Sequence, residues 1–420
     1  MKPRVALAGR AWLLGILVVA VYAPLQLTAS SEWFLYPDSY RYARAAEQFG
    51  GASRAQAHRD ALEAFCATRA DVARATARLS PAAGAPLPAG TMTAKQCLAR
   101  WGDAADITTA DPRYQAIFSS RPGYPLLAAP FVRVFGVIRG MRMLGLLTTV
   151  GASLLVVGLL RSADLPPLSA VCGQLVFLAT PLARWSLQAL GEGLVTVCAL
   201  GTIWGAVLLI RRRPVAGTPL LAVSLGVCAV TRYSSALLLA ALTAAAAVAV
   251  WCGMRERRHR WTALLAGLSA IAASLTAMLI SALALPSATT TLQDTFTQHF
   301  ARPDVPYPWQ RLADLDARYW AHWIGAEASL PIFLVPTLVA AWALYRYRPD
   351  LGWFALATAL TGALQVAAHP LLQEADRLGV LMWMPAVLGL PLLVARAQRH
   401  GTITAHAVET ATRGGSVVGR

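Results

Sequence analysis

The 420-residue chain is 56% hydrophobic and only 14% charged, with a formal net charge of +16. So apolar a composition excludes an ordinary soluble domain, and continuous rather than alternating apolar runs argue against a membrane β-barrel. The positive charge does not indicate nucleic acid, because the arginines sit mostly in short loops between apolar runs and leave no folded basic domain over.

Apolar runs of roughly 18 residues or more recur, each long enough to cross a hydrocarbon core of about 30 Å. Spans are expected near 11–27, 143–160, 166–183, 193–210, 215–231, 234–251, 261–285, 328–345, 351–368 and 378–395. The first follows Lys2, Arg4 and Arg10. Its apolar part is long for a cleaved leader and no small-residue cleavage pattern follows, so it reads as a retained signal anchor. With the N-terminus inside, the internal loops hold Arg161, then Arg211–Arg213, then Arg255, Arg257, Arg258 and Arg260, then Arg346 and Arg348, and the tail adds Arg396 and Arg399. That is the positive-inside pattern for a multi-pass cell-membrane protein with both termini cytoplasmic.

The expected organisation is therefore an N-terminal tail and first span over 1–27, an extracytoplasmic loop over 28–142, a helical membrane core over 143–395 with a second outer loop at 286–327, and a disordered tail over 396–420. Outer loops of this length inside a compact membrane protein are usually functional.

The first loop opens with "WFLYPDSYRYARAAEQF", in which Tyr42, Ala45, Ala46 and Phe49 share a helical face. Asp38 precedes that run. It reads either as a helix N-cap or as a base that takes a proton from a hydroxyl, and the two roles are compatible. Residues 58–79 are Ala/Arg-rich and helical in character, and 81–90 form a Pro/Ala/Gly linker. "RPGYPLLAAPFVRVFG" is too short and too proline-broken to span and reads as a helix lying at the outer interface. Cys66 and Cys97 fall in the same loop. They are either a disulfide in an oxidising compartment or two free thiols. Cys172, Cys198, Cys228 and Cys252 lie in expected helices as small packing residues.

Isolated charges mark the outer ends of later spans. Glu192 is either an ion-pair partner of Arg184 or an acid with a catalytic role. Arg232, in "AVTRYSSALLL", is one cation in a tight outer turn, and Arg377 stands at the mouth of the last span. Each is either a snorkelling side chain or a fork for phosphate oxygens. Asp314 and Asp316 form a D-x-D in the second loop, too common a pair to imply a metal. His299, His322 and His369 carry no assignment. No His/Cys metal cluster, Walker loop or dinucleotide fingerprint is present, so no cofactor is indicated, nor a divalent ion.

In order along the chain, "PDSYRYARAAE", "SRPGYPLLAAPFVRVFG", "MRMLGLLTTVGASLLVVGLLR", "ATPLARWSLQALGEGLV", "LGVCAVTRYSSALLL" and "ADRLGVLMWMPAVLGLPLL" resemble the successive elements of GT-C polyprenyl-phosphate-dependent glycosyltransferases. That superfamily includes the protein O-mannosyltransferases and the lipid A aminoarabinose transferases. The resemblance implies a GT-C-like all-α polytopic fold and a polyprenyl-phosphate-linked sugar as donor, with a glycan, lipid or protein hydroxyl as acceptor. It implies Asp38 as general base, Glu192 as a second acid near the sugar, Arg232 and Arg377 as holders of the donor phosphate, and Tyr42, Arg121 and Tyr124 at the site mouth. The chain differs in the long insertion at 50–112 and in Leu378 after Arg377, where the family has Tyr. A transporter or flippase, or a non-catalytic scaffold of the same fold, are the other classes. The former is disfavoured by charges that collect at the outer ends rather than mid-span.

Overall fold

The computed structural model describes residues 2–29, 33–78 and 92–414, with side chains from Arg10 to Arg399 within those ranges. The linker expected at 81–90 and the last tail residues, 415–420, lie outside the described residues. All regular elements among the described residues are helical.

In chain order, α1 (Lys2–Ala29) is followed by four helices of the first loop, α2 (Pro37–Phe49), α3 (Arg54–Arg78), α4 (Ala94–Trp101) and α5 (Pro112–Ser119). Then come α6 (Gly123–Ser162), α7 (Pro167–Ala179), α8 (Pro181–Leu187), α9 (Gly191–Ile210), α10 (Pro214–Thr231), α11 (Tyr233–Gly253) and α12 (Arg260–Ala282). The second loop carries α13 (Ala288–Phe296) and α14 (Pro308–Ser329), and the chain closes with α15 (Leu334–Tyr347), α16 (Pro349–Ala368), α17 (Leu372–Leu378) and α18 (Met384–Gly414). Eight helices are long and apolar enough to cross a membrane, or up to ten if each of two bent pairs counts as one span. This is the architecture of a multi-pass membrane protein.

The bent pairs are α7 with α8, at 63°, and α14 with α15, at 91°. They coincide with the spans expected at 166–183 and 328–345. The first bend has a local cause: Thr180 is extended (ψ 165°) because the proline that follows disfavours helical dihedrals before it. α9 is the most enclosed span, whereas α1 and α12 turn large apolar side chains such as Leu13, Leu17, Leu275 and Met278 outward. Around α1 the polar contacts are between helices: Gln174 on α7 donates to the Gly15 carbonyl, and Arg142 on α6 donates to the carbonyls of Gln26 and Leu27 at the helix end. Those carbonyls would otherwise lack an intrahelical donor.

The stretch expected to lie at the interface is the first third of α6. It reverses at Gly136, whose φ of 75° is strained for any residue with a Cβ. A Cβ on Gly140 would come within 2.6 Å of the Val132 backbone nitrogen, so the two arms of the reversal touch backbone to backbone.

Two expectations are corrected. Asp38 is not the N-cap of α2. Tyr36 caps without a side-chain bond, Pro37 takes the first helical position, and Asp38 sits one residue further in. Proline suits that position because the first amide of a helix has no partner to lose. The tail, expected to be disordered from residue 396, continues as helix to Gly414. Its Ala, Arg, Gln and Glu content, without proline, favours that state.

The first loop is held by polar contacts that its sequence concealed. Arg41 on α2 donates to Asp106 at 2.7 Å, with both side chains 1% exposed, and its guanidinium lies over the rings of Tyr114 and Phe118. Arg44 reaches the other Asp106 oxygen at 3.2 Å. Cys66 on α3 and Cys97 on α4 form a disulfide, with Cα atoms 5.7 Å apart. Arg113 on α5 pairs through two bonds with Asp304 of the second loop, so the two long connections meet. Removing one partner of a buried pair leaves a charge unbalanced and costs about 3–5 kcal/mol. Asp106→Ala should therefore lower the thermal stability of the purified protein by that order, while Arg113→Ala at the exposed pair should change it little. Equal small shifts in the two variants would show that Arg41 is not held by Asp106.

Candidate functional site

Four charged residues from distant parts of the chain meet at one end of the bundle. Each is placed by a helix terminus. Asp38 lies in the first turn of α2, Glu192 in the first turn of α9, Arg232 between the end of α10 and the start of α11, and Arg377 in the last turn of α17. Arg377 NH1 donates to Asp38 Oδ2 at 2.9 Å, and its Nε lies 3.4 Å from Glu192 Oε1. Arg232 NH1 donates to the same Glu192 oxygen at 3.3 Å. The four residues named from the sequence are thus a single contiguous ion cluster.

The cluster has a fifth member that the sequence reading passed over. Glu374 Oε2 accepts from Arg377 NH2 at 3.0 Å and lies 3.4 Å from His369 Nε2, whose Nδ1 is 2.8 Å from Thr295 Oγ1. The signal was available: Glu374 and Arg377 are three residues apart, which puts them on one face of a helix. Asp376, on another face of α17, accepts from the indole of Trp185 at 3.0 Å and ties α17 to α8.

Burial separates the roles. Glu192 is 6% exposed and the Arg377 side chain 10%, whereas Glu374 is 39% exposed. Burial alone would depress the Arg377 pKa. The charges of Glu192, Asp38 and Glu374 outweigh it and hold the group well above its usual range. Burial likewise acts to raise the Glu374 pKa, but the hydrogen bond from His369 and the charge of Arg377 bring it down to about 2.

The expected mouth residues lie alongside. Tyr42 and Tyr124 are buried with ring centroids 5.3 Å apart. Burial raises the Tyr42 hydroxyl pKa, Arg121 lowers it, and Asp38 and Glu192 raise it further, so its oxygen feels the cluster directly. The Tyr124 hydroxyl is buried without a hydrogen-bond partner. A Cβ on the next-door Gly123 would fall 2.9 Å from the Thr231 nitrogen. Only a glycine lets α6 begin hard against the turn that carries Arg232.

Other sequence candidates fall elsewhere. Asp314 and Asp316 stand on α14 two residues apart, a spacing that points them in different directions. Arg184 lies over the ring of Trp185, 5.9 Å from its centroid. His299 pairs with Asp294 at 3.0 Å and stacks near Tyr114 of the first loop. Among the described residues, no three His, Cys, Asp or Glu side chains are grouped to hold a metal ion.

The arrangement is balanced around a buried cation. Arg377→Met would leave Asp38, Glu192 and Glu374 facing one another, and a loss of about 3–5 kcal/mol is expected, read as a fall in melting temperature. The acid range tests Glu374. A carboxyl lowered from 4.5 to about 2 contributes stability above pH about 4.5 that is lost as pH falls toward 2. Glu374→Gln should flatten that part of the acid-unfolding curve; parallel curves for parent and variant would mean that Arg377 and His369 do not hold Glu374 ionised.

No protein-family profile, curated protein or solved structure matches the chain. What it does has to be inferred from its own residues.

Proposed function

We propose that the chain is an integral membrane glycosyltransferase. It moves one sugar from a polyprenyl-phosphate donor to an acceptor hydroxyl on the extracytoplasmic face, with inversion. The observation that carries this reading is the convergence of Asp38, Glu192, Arg232 and Arg377 in one ion cluster. The arginine-rich loops support the sidedness: Arg211 follows α9 at the end opposite Glu192, about 30 Å away for a 20-residue helix.

The chemistry needs a base, a cradle for the leaving phosphate and little else. Asp38 takes the proton of the acceptor hydroxyl as its oxygen attacks the anomeric carbon. The bond from that carbon to the phosphate oxygen breaks, and the lipid phosphate leaves with the electron pair. The ion pair with Arg377 fixes the orientation of the Asp38 carboxylate, which matters because positioning is a large part of catalysis in such displacements. Arg232 has a single carboxylate partner at 3.3 Å and is the cation most open to a donor phosphate. Arg377 is engaged by three acids and joins by exchanging Glu374, the most exposed of them, for a phosphate oxygen. Cations so placed act on charge that develops as the bond breaks. Tyr42 and Tyr124 pack against each other beside the cluster. The reading needs no resident metal.

Transfer in membranes supplied with labelled lipid-linked sugars tests it. Asp38→Asn should lower transfer by at least about 100-fold at unchanged expression, the usual range for removal of a general base. Arg232→Gln should lower it as well, with partial recovery in Arg232→Lys. Full transfer by Asp38→Asn would remove that residue from the mechanism, and no transfer by the parent with several sugars would favour a non-catalytic membrane protein.

A further inference from the structure

The opposite end of the bundle holds a groove that plays no part in this chemistry. It has a volume of about 280 Å³ and lies between the α6–α7 turn, the α15–α16 junction and α18. Arg346, Arg348, Arg396 and Arg399 line it, together with Leu165 and Leu392.

We propose that this groove binds the phosphodiester headgroup of an anionic phospholipid. Four features carry the inference. First, four arginines line one small groove against a single lining carboxylate, Asp164, which pairs with Arg211 at 2.6 Å; Asp350 balances Arg348, and Arg346, Arg396 and Arg399 supply the groove's cationic face. Second, the arginines are arranged and not merely scattered. Arg348 is fixed by two bonds to the buried Asp350, at 3.0 and 3.2 Å, and by one to the Ala163 carbonyl. Arg346 and Arg396 both approach the ring of Tyr347, at 5.9 and 5.4 Å from its centroid. Arg348 so held forms the groove's fixed wall, and the planar forks of Arg346 and Arg396 beside Tyr347 match phosphate oxygens better than mobile ammonium groups would. Third, Leu165 and Leu392 in the lining distinguish a lipid from a soluble anion, since leucines offer nothing to a free phosphate. Fourth, Trp342 and Tyr345 stand exposed on the same helix, α15, where amphipathic aromatic rings mark headgroup depth. A basic pocket between spans at the arginine-rich side is the setting in which anionic headgroups bind.

The test is native mass spectrometry of the full chain released from nanodiscs that contain equal amounts of phosphatidylglycerol and phosphatidylcholine. The parent should retain phosphatidylglycerol in preference. Arg396→Gln with Arg399→Gln should lose about thirtyfold of that preference, from about fivefold for each cation near an anionic lipid. Both positions are exposed, so the pair should leave folding intact. Arg255→Gln with Arg260→Gln removes the same charge from the same end but outside the groove, and should keep the preference. The proposal is overturned if the two lipids are retained equally, if the two double variants behave alike, or if millimolar inorganic phosphate displaces the lipid, which would make the site one for soluble phosphate.

Discussion

A guanidinium that is nine-tenths enclosed must be surrounded by negative charge, and that requirement organises one end of the bundle. Arg377 receives one carboxylate from α2, one from α9 and one from its own helix. The three acids are far apart in sequence, and only Glu374 lies near Arg377 itself. The pairing therefore fixes where the first loop, the central span and the approach to the last span sit relative to one another. Charge pairs with this much burial contribute modestly to net stability because desolvation offsets attraction, but breaking one is costly. The cluster is thus a strong constraint on geometry and only a weak source of stability.

The same requirement shapes the first loop. Asp106 draws Arg41 and Arg44 off two turns of α2, and the rings of Tyr114 and Phe118 cover Arg41. Asp38 sits one turn earlier on that helix, so the orientation of its carboxylate is set from both ends: by Arg377 on the membrane side and by the Asp106 network on the loop side. The Cys66–Cys97 bridge adds a covalent tie between α3 and α4 behind it.

The spans were legible because lipid enforces a simple code. Apolar length sets how many helices can cross, so the ten expected spans fall on the eight long apolar helices and the two bent pairs. The charged residues at these helix ends were legible for a related reason, since an isolated Arg232 or Glu192 beside apolar helices needs a partner. What escaped was pairing between side chains. Glu374 lay next to Arg377 in a short segment that gives no periodicity, and Asp106 looked like one more loop acid. Its partners, Arg41 and Arg44, lie on α2, 65 residues away in the case of Arg41, and nothing local announces such a contact. The expected cap at Asp38 failed by two residues, because Pro37 is the better first residue of a helix and puts the cap at Tyr36.

One consequence concerns motion. α9 is clasped at its beginning, where Glu192 meets Arg377 and Arg232, and just beyond its end, where Arg211 meets Asp164. A slide of one turn, about 5.4 Å, would break both clasps together. The central span therefore behaves as a fixed spindle rather than a piston. Any movement at the Glu192 end has to come from elements swinging about it, and the kink at Gly136 and the bend between α14 and α15 are breaks at which they can turn.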